Sequence, residues 1–263
     1  MLHHGLLFRL AASLLVLAPC SAAELKPRTA EAFERYVRDA ERRIDERVHG
    51  RRSFLWADES AERKVAARAS VVVGAPGERS LSNVPDGLIH HWVGAAFLPG
   101  VSLPQTLALL QDYDNHARIY PPEVAASKLL GRSGNDFRIH YRLLKKKVIT
   151  VVLNTEHEVR YFRLDDRRWH SRSYTTKIAE VENAGKAGGR EMPVGNDNGF
   201  LWRLYSYWRF AERDGGVWIE CEAISLTRDI PTGLGWLVKP VIQDLPRESL
   251  TATLQNTYNA LVR

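Results

Sequence analysis

The chain has 263 residues, which is enough for one large domain or two small ones. Hydrophobic residues make up 44% of it, enough for a core, and charged residues make up 26%. The net charge is +6, but the basic residues are scattered and Lys145-Lys146-Lys147 is the only tight run. This distribution indicates a solvated surface and argues against nucleic acid as a partner.

Residues 1–23 have the pattern of a secretory signal peptide. Arg9 supplies the positive start, Leu10 to Leu17 is an apolar segment too short to span a bilayer, and Ser21-Ala22-Ala23 offers small residues for cleavage. We therefore expect an exported protein, periplasmic or secreted. The segment Leu17-Ala18-Pro19-Cys20 also resembles a bacterial lipobox. A lipid anchor on Cys20 is therefore the alternative, disfavoured by the proline before the cysteine.

Residues 24–85 are predicted to form an N-terminal helical extension and linker. Apolar residues recur at helical spacing from Thr29 to His49, and a weaker helical pattern covers Glu59 to Arg68. Ser70 to Val73 is β-branched and predicts a short strand. Gly74 to Gly87 is rich in Gly, Pro, Ser and Asn, which marks a boundary before a main domain at 86–263.

The main domain begins with a strand, a helix and then several alternating segments. Leu88 to Leu98 predicts a strand, and Ser102 can cap a helix that Pro121-Pro122 ends. Alternation of apolar and polar residues then predicts strands at Phe137–Leu143, Val151–Tyr161, Trp169–Val181, Trp202–Phe210 and Val217–Ser225. The last two strands are joined by Asp214-Gly215-Gly216, a strong hairpin turn.

The charges on that hairpin lead to a specific expectation. Arg203 and Arg209 share one face of the first strand, while Glu220 and Glu222 share one face of the second. Opposite charges can pair across neighbouring strands, so we expect these four residues to mark a solvent-exposed face.

The chain ends in an amphipathic helical pattern from Leu234 to Leu261. Pro240 and Pro246 lie inside this pattern, which predicts a kinked or two-part helix. A strand, a helix, several antiparallel strands and a long terminal helix form an α+β pattern.

At this point the chain resembles the START-like helix-grip superfamily, which includes polyketide cyclase/dehydrase-like and coenzyme Q-binding proteins. The resemblance covers about Asp86 to Arg263. The motifs that carry it are Ala108-Leu109-Leu110-Gln111-Asp112-Tyr113-Asp114 leading into Ile119-Tyr120-Pro121, Gly233-Leu234-Gly235-Trp236-Leu237-Val238, and Leu245-Pro246-Arg247-Glu248-Ser249-Leu250. It implies a curved antiparallel sheet wrapped around the C-terminal helix, with a cavity for lipids, quinones or polyketide-like molecules between them.

Side chains that could line such a cavity are mostly aromatic, since small-molecule sites are apolar with a few polar groups. The candidates are Trp92, Tyr113, Phe137, Tyr141, His157, Arg172, Trp202, Trp208 and Trp236. Aromatic residues at strand spacing are also the ordinary material of a core. His157 is the notable polar position, either as a ligand or acid–base group or as a core histidine satisfied by a neighbouring hydroxyl.

Other chemistry finds little support. His90-His91-Trp92 invites a metal hypothesis, but adjacent strand residues point to opposite faces and the two histidines cannot chelate one ion. We expect neither a metal nor a cofactor, because no zinc-like spacing, nucleophile elbow or phosphate-binding loop is present.

Our leading hypothesis from the sequence is a non-catalytic, exported binding protein for a hydrophobic small molecule. Lys145-Lys146-Lys147 at a hairpin tip could add peripheral contact with a membrane, although a solvated turn is the commoner explanation. The alternatives are a cyclase- or hydrolase-like enzyme that combines His157 with Arg172 or Tyr174, and a structural envelope protein with a filled core.

Overall fold

The computed structural model describes residues 23–146, 150–186, 188–229 and 235–262, with side chains in the last helix from Asp244 onward. The predicted signal, with Cys20, lies outside the described residues up to position 22, and so do Lys147 and the side chain of Trp236.

The described chain forms five α-helices and twelve strands. The helices are α1 (Pro27–Val48), α2 (Ala61–Ala69), α3 (Leu103–Gln111), α4 (His116–Ile119) and α5 (Gly235–Leu261). The strands are β1 (Ala23–Glu24), β2 (Val72–Gly74), β3 (Leu81–Val84), β4 (Gly87–Pro99), β5 (Val124–Ser133), β6 (Asp136–Lys146), β7 (Thr150–Arg163), β8 (Arg168–Glu182), β9 (Arg190–Glu191), β10 (Asn196–Asp197), β11 (Arg203–Arg213) and β12 (Gly216–Arg228).

The main sheet is antiparallel throughout its described pairings. Its strand order is β2-β4-β12-β11-β8-β7-β6-β5, and β3 also pairs with β4. The strands β2 and β3 belong to residues 24–85, so the N-terminal segment adds to the sheet as well as contributing helices. The predicted hairpin turn joins β11 to β12, where Asp214 and Gly215 have φ angles of 60° and 78°. These left-handed angles suit a turn with glycine in its second position.

One face of this sheet grips α5. Inward side chains from strands far apart in the order, such as Ala96 of β4 and Phe137 of β6, belong to one core cluster with Leu250 and Leu254 of α5. Such a shared cluster requires the sheet to curve around the helix. At Gly94 the contact is so close that a Cβ atom would lie 2.4 Å from Cδ1 of Leu254. The predicted helix-grip fold is therefore confirmed.

Two helix predictions need correction. Helix α5 is continuous from Gly235 to Leu261, so the two-part alternative is wrong, and burial of its apolar side chains outweighs the backbone hydrogen bond lost at Pro246. Helix α3 ends at Gln111 rather than at Pro121-Pro122. Its start is as predicted, because Ser102 forms a capping box with Gln105.

The outer face of the sheet is also buried, which corrects the expectation for the charged hairpin. Arg209 and Glu220 have 0% exposure and Glu222 has 5%. The N-terminal segment covers them: Phe33 and Val37 of α1 pack in one cluster with Ile224 and Tyr207. The predicted alternation of the strands is correct, but the residues that bury this face belong to a part of the chain distant in sequence.

The buried charges are joined in one hydrogen-bonded network. The guanidinium of Arg209 donates from Nε to Glu220 at 3.1 Å and from Nη2 to Glu222 at 3.0 Å. The backbone amide of Trp56 donates to the same oxygen of Glu220, Oε2, at 2.8 Å, and that of Ala57 donates to Oε1 at 2.7 Å. Hydrogen bonds and an opposite charge offset part of the cost of removing each ion from water. For Glu220 the effect of burial is still the larger one and raises its pKa.

A histidine connects this network to α1. Nε2 of His91 lies 2.8 Å from Oε1 of Glu222, and the hydroxyl of Tyr36 lies 3.0 Å from Nδ1 of His91. Burial by itself raises the pKa of Glu222, but the hydrogen bond from His91 and the charge of Arg209 outweigh it and lower that pKa to about 2. The glutamate is therefore ionised at neutral pH.

We expect Arg209→Met to lower the free energy of unfolding by about 3–5 kcal/mol, because it leaves two buried carboxylates without their counter-charge. Urea denaturation measures this change. Arg160→Met is the matched control, since Arg160 pairs with Asp136 at the exposed surface and its loss should leave the midpoint near that of the wild type. An Arg209 variant as stable as the control would contradict a role for the network in holding the extension.

Candidate functional site

The inner face of the sheet carries a strip of small side chains beneath α5. Strand register places Trp92, Ala223, Ser206, Ser173 and Val159 in one row across β4, β12, β11, β8 and β7. Three consecutive positions in this row therefore hold only a methyl or hydroxymethyl group. Strands lie about 4.8 Å apart, so the row extends roughly 19 Å from Trp92 to Val159. We call Ala223, Ser206 and Ser173 the floor.

Two of the three floor residues are more exposed than the packed end of the same strands, while Ser173 is buried. Ser206 and Ala223 are half-buried, whereas Phe210 and Ile219, further along the same two strands, are fully buried against the α5 side. Large side chains therefore fill one end of the grip, and small ones leave accessible surface at the other. An apolar concavity with a few polar groups is the usual form of a small-molecule site.

A polar cluster borders the floor at His157. Nε2 of this buried histidine lies 2.9 Å from the hydroxyl of Thr155, and Nδ1 lies 3.5 Å from the hydroxyl of Ser173. Burial lowers the pKa of His157 to about 4, so the imidazole is neutral at pH 7. These contacts fit the prediction of a core histidine with a neighbouring hydroxyl as its partner. Ser173 contacts His157 and also belongs to the floor.

A second group of aromatic and imidazole rings closes the end below α3. Nδ1 of His116 lies 2.6 Å from the hydroxyl of Tyr141, and the two rings stack at 5.8 Å. The hydroxyls of Tyr113 and Tyr161 lie 3.0 Å apart, and that of Tyr161 donates to the Leu110 carbonyl. Burial raises the pKa of both tyrosines, so they remain neutral hydrogen-bonding groups. The sequence analysis did not select His116, whose role is to join the aromatic bend to β6.

The structure brings six of the nine predicted site residues to the inner face. They are Trp92, Tyr113, Phe137, Tyr141, His157 and Trp208. Phe137 and Tyr113 are closely packed core residues with 2% and 4% exposure, whereas Trp92, Tyr141 and Trp208 are half-buried around the floor. The side chain of Trp236 falls outside the described part of the chain.

Arg172 and Trp202 lie on the other side of the sheet. Arg172 forms an ion pair with Asp45 of α1, and Tyr174 donates to Glu41 of the same helix. Trp202 packs in the cluster of α1 and donates from Nε1 to Asp197 at 3.1 Å. Residues 172 and 174 alternate along β8 with Ser173, which faces inward. The polar centre predicted for an enzyme, with Arg172 or Tyr174 beside His157, is therefore not formed.

The sequence analysis missed the floor itself. Ser206, Ser173 and Ala223 attract no attention one by one, and the row they form exists only after the register of three separate strands is known. A signal was present in the alternation, since small residues occupy inward positions where neighbouring inward positions hold Trp208 and Phe210. Aromatic residues are conspicuous in a sequence, whereas small residues that leave space beside them are not.

The described surface also has an open groove of about 700 Å³ away from the grip. Charged side chains form much of its lining, among them Arg132, Arg138, Glu158 and Arg160. Arg172 and Tyr174 in its lining belong to the outer side of the sheet, so the groove opens on that side, although Phe137 and Val159 also border it. Within the described part of the chain, no group of three or more acidic, histidine or cysteine side chains is placed to hold a metal ion. Among the described helices, none has both the length and the apolar character needed to cross a bilayer.

We expect the buried His157 to make the free energy of unfolding decrease more steeply as the pH is lowered. The unfolded histidine binds a proton near its ordinary pKa of 6.5, whereas the folded one does so only near 4. Protonation below pH 6.5 therefore favours unfolding, and this site alone removes about 3 kcal/mol between pH 6.5 and 4. Urea unfolding at several pH values should show a shallower dependence for His157→Gln. Equal slopes would contradict the buried, neutral state, since the other histidines contribute to both proteins.

Comparison with known proteins gives similarity of structure alone. No family model matches the chain, and no curated protein matches it. Among solved structures, a STAR-related lipid transfer protein from Xanthomonas axonopodis is 15% identical, with a TM-score of 0.46 over 69% of this chain and 97% of that one. An aromatase/cyclase from Streptomyces sp. R1128 is 13% identical, with a TM-score of 0.42 over 65% and 93% of the two chains.

The antiparallel sheet, its strand order and the docking of the terminal helix on the inner face are properties of the chain itself. The chain therefore has a helix-grip fold.

Proposed function

We propose that the protein is an exported binding protein for a hydrophobic small molecule. The floor carries this proposal, because its row holds three small side chains and two of them, Ser206 and Ala223, are half-buried, whereas the large side chains further along the same strands are fully buried. An apolar ligand lying on Ala223, Ser206 and Ser173 would be covered by α5. Most of its affinity would come from burial of apolar surface, at about 25 cal/mol per Å² before ordering costs.

The chemistry around the floor supports binding rather than catalysis. His157 is neutral and hydrogen-bonded, and the described residues beside it are hydroxyls rather than a carboxylate that would orient it as a general base. Trp92 and Trp208 provide apolar surface at neighbouring positions. The similar solved structures include a lipid transfer protein, which is consistent with a ligand of this class.

Ligand binding is tested with Nile red, a neutral apolar dye that fluoresces in apolar surroundings. We expect saturable binding with one site per chain. Ser206→Trp should weaken it at least about tenfold, because an indole on the floor occupies the space a ligand needs. Glu156→Trp is the matched control, since it adds the same ring to the outer side of the β6–β7 pair, where Glu156 lies opposite His140.

Native mass spectrometry and organic extraction of protein purified without detergent complete this test. A co-purified apolar molecule that is absent from Ser206→Trp would support the proposal. If the wild-type protein carries no such molecule and the two tryptophan variants bind Nile red equally, the proposed function is wrong.

Export is tested with the full chain expressed in a Gram-negative host. Cleavage after Ala23 should release a periplasmic protein with the mass of residues 24–263, because the apolar segment and the small residues direct processing at that point. Leu14→Arg, within the apolar segment, should keep the chain in the cytoplasm. Cys20→Ser separates the two modes of processing, since it would abolish a lipid-modified form but not ordinary cleavage. An uncleaved cytoplasmic wild type would overturn the export proposal.

A further inference from the structure

The sequence motif His90-His91-Trp92 places two side chains on the inner face of β4. His91 points outward to Glu222, so His90 and Trp92 share the opposite face, which also carries Gly94 against α5. Their register partners on β12 are Ser225 and Ala223, of which Ala223 belongs to the floor. The pair therefore lines the β4 side of the proposed site.

Nδ1 of His90 is a buried hydrogen-bonding atom without a partner in the described structure. Nε2 of the same ring lies 3.1 Å from the hydroxyl of Thr227, and that hydroxyl lies 3.2 Å from the Arg228 carbonyl. The carbonyl of Leu88 lies 3.5 Å from the same hydroxyl. Because both carbonyls can only accept, we assign the Thr227 proton to them and make Nε2–H of His90 the donor to Thr227. Nδ1 then carries a lone pair. Burial lowers the pKa of His90 to about 4, which keeps the ring neutral.

Trp92 presents the complementary donor. Its Nε1–H is buried and has no acceptor among the described residues. A buried polar group without a partner costs free energy, and two of them at alternate positions of one strand face are unusual in a native structure. His90 itself has 0% exposure, so solvent does not satisfy its ring. The guanidinium of Arg247 lies 5.9 Å from the centre of the Trp92 ring, which places α5 over this region.

From this pair we infer that the apolar ligand of the proposed function carries a neutral hydroxyl group bound between His90 and Trp92. A hydroxyl oxygen would accept from Nε1 of Trp92 and its proton would be donated to Nδ1 of His90. A ketone, ester or ether can satisfy only Trp92. A carboxylate would bring its negative charge against the lone pair of His90, and it has no proton to donate. The inference rests on the proposed function and specifies its substrate class.

The test compares three probes with the same chain: dodecanol, dodecyl methyl ether and dodecanoate, each as a competitor of bound Nile red. We expect dodecanol to displace the dye at a concentration about tenfold or more below that of the ether, because the ether leaves Nδ1 of His90 buried and unpaired. Dodecanoate should also be weaker than dodecanol. Trp92→Phe should weaken both dodecanol and the ether, since both use its Nε1–H.

His90→Phe isolates the acceptor. In this variant dodecanol should lose its advantage, so that alcohol and ether displace the dye equally. Trp218→Phe is the matched control, because Trp218 lies on the outer side of β12 and donates to Asp214, and its loss should preserve the preference for the alcohol. The measured quantity is the ratio of the dodecanol and ether concentrations that displace the dye from one variant. A general loss of stability affects both concentrations and does not by itself change their ratio.

The outcomes separate this inference from the proposed function. If Nile red binds and Ser206→Trp abolishes binding, but dodecanol and its ether compete equally in the wild type, the hydroxyl inference is wrong and the binding function stands. Tighter binding of dodecanoate than of dodecanol would also overturn it, in favour of an anionic ligand near Arg247. Absence of Nile red binding would remove the proposed function itself.

Discussion

The structure depends on the burial of β11 and β12 on both faces. Their inner face packs α5, and their outer face is covered by the N-terminal segment around Arg209, Glu220 and Glu222. Moving these three charges out of water is costly, and the arrangement is stable only because each has opposite charge and hydrogen bonds at 2.7 to 3.1 Å. The central strands therefore have packed side chains on both faces, with α5 on one and the N-terminal segment on the other.

Most of the fold could be predicted from local signals. Alternation identified the long strands, the glycine-containing turn identified the β11–β12 hairpin, and Ser102 marked the start of α3. The prediction of an exposed charged face was wrong for a physical reason. Cross-strand pairing of Arg209 with Glu220 is the same pattern whether the pair faces water or a covering segment, and only the fold shows that α1 and residues 56–57 lie over it.

The candidate site was less predictable than the fold. Strand alternation assigns His157 and Trp92 to one face each, but it does not say which other strands lie beside them. Arg172 was grouped with His157 because its register was unclear, and the structure separates them by the thickness of the sheet. The floor depends on the register of β12, β11 and β8 together, and no single segment of sequence contains that information.

Glu220 has a consequence for the order in which the chain can assemble. It accepts hydrogen bonds from the amide of Trp56, 164 residues earlier in the chain. The segment at Trp56 therefore lacks its anchoring carboxylate until most of the chain has been synthesised. Contacts of such long sequence separation form late, because the entropy of closing the intervening loop must be met first. The N-terminal segment is therefore expected to dock on the sheet last, although it is synthesised before every strand that it covers.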